Sequence, residues 1–129
     1  ATFQAVERFS QWAPAHIARA QFLYATMRLH DAQQHLLRAL EHSPESVAAE
    51  YWLGVIALDR GQDRQALERL LRVTVRQPLN PDAWRQAARA AWNLGDRATA
   101  HIYLEEARAL SPDDPRVTAV VDEFARGNP

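Results

Sequence analysis

The feature that most constrains this chain is a spacing. Pro44, Pro78 and Pro112 stand 34 residues apart and then 34 again. Ala32, Ala66 and Ala100 keep the same step, as do Leu36, Leu70 and Leu104. Ala39, Val73 and Ala107 follow it with one Val, and Ala20, Gly54 and Ala88 are small in every copy. Met27, Gly61 and Gly95 complete the set, with Gly in two of three. A period of this length makes each copy one supersecondary unit that buries its apolar face against its neighbours.

Each period divides into two helices. In the middle copy the first spans roughly 46–60, and Gly61 takes the left-handed conformation that ends a helix cheaply. The second spans roughly 63–76 and stops before Pro78. The third copy repeats this over about 81–94 and 97–110, with Gly95 and Pro112 as punctuation. Asn80-Pro81 and Asp114-Pro115 each place a capping side chain before a proline suited to the first helical position. The latter opens one more helix, ending near Arg126 and Gly127. Two antiparallel helices joined by so short a turn must approach closely. Gly54 and Ala88 on first helices meet Ala66 and Ala100 on second helices only because none carries bulk. Leu53, Leu70, Trp84 and Leu104 fill the space around those contacts.

The ends fit a stack. Val117, Val120, Val121 and Phe124 form an apolar stripe at helical spacing, so 113–129 reads as a capping helix and tail. Residues 1–12 read as a partial preceding helix, because Ala5 lies 34 before Ala39. A start without Met suggests a processed chain or a piece of a longer array. Exposed ends of such an array would self-associate, with Phe3, Phe9 and Trp12 as candidates.

Composition excludes several functions. The 129 residues carry a formal net charge of -1, which draws in neither nucleic acid nor an anionic bilayer. There is no Cys, so disulfides, thiolate metal sites and a Cys nucleophile are absent. No apolar run is long enough to insert in a membrane, which needs about 20 residues. All 15 basic residues are Arg. That fits either selection for bidentate carboxylate binding or a GC-rich bacterial genome.

A 34-residue helix–turn–helix period with these columns resembles the tetratricopeptide repeat family. "WLGVIALDRGQDRQALERLLRVTVRQP" (Trp52 to Pro78) carries the resemblance, as does "AWRQAARAAWNLGDRATAHIYLEEARALSP" (Ala83 to Pro112). In the first copy Arg19 stands where an apolar residue is usual, and Met27 replaces the turn Gly. The resemblance implies an all-α, right-handed α-solenoid of about three helix pairs (13–44, 47–78 and 81–112) plus flanking helices. It also implies a non-catalytic scaffold that holds a peptide or helix of another protein in a concave groove lined by the first helices. A bacterial assembly or export machine, cytoplasmic or periplasmic, is the implied setting; a structural spacer of a longer protein is the alternative. The family's carboxylate clamp for chaperone tails is not reproduced, since Ile17 and Asp82 occupy places that need basic residues.

No cofactor, metal or catalytic constellation is expected. No histidine pair has helical metal-site spacing. His16, His30, His35, His42 and His101 read as solvated surface residues, although His35 and His42, seven apart, can share a helix face. Glu105 and Glu106 are adjacent and so diverge on a helix. For the groove the sequence offers Gln21 and Tyr24 from the first copy, Tyr51, Val55 and Asp59 from the second, and Arg85, Arg89, Trp92 and Asn93 from the third. Aromatics and Arg are the residue types enriched at binding hot spots. The same aromatics could instead pad the seams between repeats. Asp82 can pair with Arg85 at i, i+3, which leaves Arg89 as the freer fork beside Trp92 and suits an acidic, apolar partner segment.

Overall fold

The computed structural model describes residues 13–127. Among them the chain forms seven α-helices and no strand. These are α1 (Ala13–Ala25), α2 (Leu29–His42), α3 (Val47–Asp59), α4 (Asp63–Arg76), α5 (Pro81–Asn93), α6 (Arg97–Leu110) and α7 (Pro115–Arg126). None of these helices is long and apolar enough to cross a membrane. The expected helix at 1–12, with Phe3, Phe9 and Trp12, lies outside the described residues.

Local chemistry sets the helix ends. At the turns inside the three pairs, Met27, Gly61 and Gly95 all have positive φ, of 63°, 76° and 87°. The residue after each turns its backbone N–H back onto the same carbonyl position. Arg28 donates to Leu23 O at 2.8 Å, Gln62 to Ala57 O at 2.8 Å and Asp96 to Ala91 O at 3.0 Å. This left-handed cap satisfies carbonyls that the helix end would leave unpaired. Glycine enters it freely, whereas Met27 enters it against its own Cβ. At helix starts, Ser46 Oγ accepts from the Ala49 N–H at 3.2 Å and Asn80 Oδ1 from the Asp82 N–H at 3.0 Å. Asp96 and Asp114 cap α6 and α7 in the same way.

The pairs close on the small columns. Ala20, Ala32, Ala66, Ala88 and Ala100 are fully buried. A Cβ placed on Gly54 would lie 2.7 Å from Leu70 Cγ and 2.9 Å from its Cδ2. The α3–α4 contact is therefore set by a side chain that is missing. Each pair's core also runs into the next: Ala49, Leu53 and Ile56 of α3 join the cluster built by Ala20, Leu23, Leu36 and Ala39.

Each second helix packs against its own first helix and the first helix that follows. The backbones of successive first helices (α1, α3, α5, α7) approach one another, while those of successive second helices do not. The stack therefore curves with the first helices on its inner side. The last of them, α7, takes the place of the next first helix, packed on α5 and α6. Arg116 pairs with Asp82 at 3.3 Å and Glu123 with Arg89 at 3.9 Å, and both pairs span the 34-residue period. Phe124 stacks on Trp92 with ring centroids 4.2 Å apart. In the column of Ala20, Gly54 and Ala88, α7 carries an exposed Asp122, so it presents a polar outer face.

Two stability outcomes follow from these contacts. Met27 is 73% exposed, so Met27→Gly sacrifices little packing while relieving the left-handed strain. It should raise stability by up to about 1 kcal/mol, after the entropy of an added Gly is deducted. Gly54→Ala gains helix propensity of about 1 kcal/mol but overpacks Leu70 at a typical cost of about 1–3 kcal/mol. It should lower the melting temperature, and Gly54→Leu should lower it further; thermal melts of the three variants decide both points.

Candidate functional site

The inner face is built from side chains of successive first helices. Tyr24 of α1 is half-buried, with its ring 5.5 Å from that of Trp52. Burial and a hydrogen bond to the Asp59 carboxylate push its phenol up to about 12. Tyr51 meets Trp52 edge-on at 5.4 Å, hydrogen-bonds with Gln86 and has its own phenol pushed up by burial. Trp52 thus holds both tyrosines in place. A cavity of about 220 Å³ opens beside Tyr51 and Trp52, lined further by Val47, Ala48, Gln77, Asn80 and Asp82. Arg85 lies next to Tyr51 and is 8% exposed. One of its terminal nitrogens donates to Asp82 Oδ1 at 3.3 Å, while its buried Nε has no acceptor.

The structure corrects several expected groove contacts. Val55 is 4% exposed and so is buried, not part of an open surface. Arg89 is not the freer fork: Glu123 from α7 stands 3.9 Å from its Nε, and it also donates to Gln86. Trp92 serves the seam, stacked on Phe124, 5.8 Å edge-on from His101 and covered by the Arg97 guanidinium at 4.6 Å. Asn93 is exposed and donates to Asp63 Oδ1 at 3.1 Å. Gln21 and Asp59 are exposed on the inner helices. The sequence did not single out Trp52, Gln86 or Arg116 for this face, because their alignment depends on how α3, α5 and α7 sit side by side.

The histidine expectation is also corrected. His16 is buried, its Nδ1 is 3.0 Å from that of His35 with one ring donating to the other, and its ring stacks at 5.9 Å on that of His42. The third partner that His35 and His42 lacked in sequence comes from α1. His16 thus meets His35 through one hydrogen bond and His42 through a ring stack. No group of three or more His, Asp or Glu among the described residues is arranged to hold a metal ion.

With this geometry in hand, comparisons with known proteins can be read. Tetratricopeptide repeat models match residues 23–85 and 81–120. The chain belongs to the tetratricopeptide repeat family. A search of curated proteins returns no match. Among solved structures the repeat stack superposes on YrrB, described as a tetratricopeptide repeat protein with an unusual peptide-binding site. The TM-score is 0.78 at 21% identity over 85% of this chain, which spans 57% of YrrB. MamA superposes with a TM-score of 0.82 at 15% identity, covering 96% of this chain and 72% of MamA. The Yersinia enterocolitica type III secretion translocator chaperone SycD gives 0.75 at 18% identity, covering 88% of this chain and 86% of SycD. At these identities the likeness is one of fold.

The His16–His35 contact carries a pH dependence. Burial, first, and then nearby positive groups lower both imidazoles below their ordinary value of 6.5. A folded-state value below the unfolded one stabilises the fold above about pH 6.5 and is lost as the pH falls through the folded value. The melting temperature should therefore drop between about pH 7.5 and 5. His35→Gln should flatten that drop; an equal drop in the variant would place the effect elsewhere.

Proposed function

We propose that the inner face holds a segment of another protein, as a peptide or a helix, against Tyr51, Arg85 and Gln86. Gln21, Tyr24 and Asp59 extend the surface to one side, and Arg89, Trp92 and Asn93 border it on the other. The observation that carries this reading is the cavity that opens beside Tyr51 and Trp52. Arg85, next to Tyr51, carries a guanidinium that would take a carboxylate or carbonyl oxygen of the partner through its terminal nitrogens. The adjoining cavity beside Tyr51 gives an apolar side chain of the same segment a place to enter. The peptide-binding description of YrrB and the chaperone role named for SycD support a protein ligand. SycD's secretion setting supports the finer reading of a bacterial assembly or export machine.

A second reading, a spacer or self-associating segment of a longer protein, is favoured by Phe22. It is 58% exposed, whereas Ile56 and Ala90 in the same column are buried by the second helix of the preceding pair.

The two readings part at Arg85. Photo-crosslinking from Gln21 and from Asn93 in the native host should capture the same partner segment. Arg85→Met should weaken binding of that segment by about tenfold to a hundredfold. The fold should keep or gain stability, because an orphaned donor is removed and Asp82 retains Arg116. Crosslinks only to further copies of this chain would favour the spacer reading instead.

A further inference from the structure

One position in each helix pair is occupied in three chemically different ways. In the second pair it is an ion pair: Glu50 of α3 meets Arg69 of α4 at 3.1 Å and also Arg72 at 3.6 Å. In the third pair, 34 residues on, it is a ring contact, with Trp84 and Tyr103 at 5.7 Å. In the first pair, 34 residues back, it is the His16–His35 hydrogen bond. Arg38 occupies the place of Arg72. The carboxylate that neutralises Arg69 and Arg72 is thus replaced by an imidazole, and Arg38 is left without an ion pair among the described residues.

The consequence is a positive hollow between α1 and α2. It has a volume of about 320 Å³ and is lined by Arg19, Arg28, Asp31, Gln34, His35 and Arg38, with Leu23 at its base. Asp31 is bound to Arg28 at 2.7 Å. Arg19 has no carboxylate partner among the described residues; its guanidinium lies 5.6 Å from the Phe22 ring centroid. Its column is apolar and buried in the other pairs, as Leu53 and Ala87. The titratable and charged groups around the His16–His35 pair are Arg19 from α1, Arg28 from the turn, and Asp31, Arg38, Glu41 and His42 from α2. With Asp31 bound to Arg28, Glu41 is the remaining carboxylate among the described residues that opposes the positive charge, and it acts on His16.

We propose that this hollow receives the paired carboxylates of an acidic segment of another protein. Two guanidinium forks without a carboxylate partner among the described residues give bidentate donors to two carboxylates. Exposed Phe22, beside the Arg19 guanidinium, gives apolar contact area that a small inorganic anion would not use. His35 makes the site proton-linked. Burial, then Arg38 and Arg19, hold it below its ordinary value while the hollow is empty. A bound carboxylate reverses that field and favours its protonation, so affinity rises as the pH falls.

The test is fluorescence anisotropy with the whole chain and a fluorescein-labelled decapeptide of Glu and Leu residues, against the same peptide with Gln for Glu. The Glu peptide should bind and the Gln peptide should not. Arg38→Ala and Arg19→Ala should each weaken binding by about tenfold or more, and Arg38→Lys by less. Wild type should bind more tightly at about pH 6 than at about pH 8, and His35→Gln should abolish that difference. Melting curves confirm that each variant is folded. Equal binding of the two peptides overturns the proposal, as does absence of binding. Loss of binding in Arg85→Met but not in Arg38→Ala would assign the peptide to the inner face and also overturn it. Competition by inorganic phosphate beyond that of chloride at matched ionic strength would move the site to phosphoryl groups.

Discussion

The fold depends on how closely a first helix can approach its second helix. At Gly54 the approach is so tight that a single Cβ would sit 2.7 Å from Leu70. Dense packing of this kind leaves one separation for the two helices. The left-handed turn at Gly61 then fixes their direction, and the cap bond from Gln62 to Ala57 locks the corner. Because the same small columns recur in every pair, the same geometry recurs, and the curvature follows. First helices lie close enough to touch along the inner side, while second helices diverge on the outer side.

Repetition of the backbone leaves the side chains free to differ at equivalent positions. Glu50 with Arg69, Trp84 with Tyr103 and His16 with His35 all bridge a first and a second helix at one site. Each is compatible with the fold, so none is needed for it. Such positions separate what the stack requires from what one copy does. The ion pair neutralises its surroundings, the aromatic pair adds apolar contact, and the imidazole pair leaves neighbouring charge uncompensated.

The inner face shows the opposite tension. A repeat protein must seal the seams between copies, and aromatic side chains are effective sealants because they bury large areas. The same side chains are effective anchors for a partner. Trp92 is committed to the seam by Phe124, whereas Tyr51 lines an open cavity and stands beside an Arg with an unmatched donor.

What the sequence determined by itself was everything that a period can encode. The columns at Ala20, Gly61, Ala66, Leu70 and Pro78 located the helices, their turns and the close contact within each pair. These are local signals, acting within one supersecondary unit. The Asp82–Arg85 pair was legible for the same reason, since both residues lie on one helix. Tertiary structure alone decided which inner residues are open. Val55 looks like a groove residue until α3 is rotated into its neighbours, and Arg89 looks free until α7 brings Glu123 to it. The histidine pair was hidden too, because His16 and His35 are 19 residues apart on different helices. A 34-residue spacing states which positions are equivalent. It does not state how far each helix is turned about its axis, and that rotation, set for α3 and α5 by packing against four neighbours at once, separates a seam from a site.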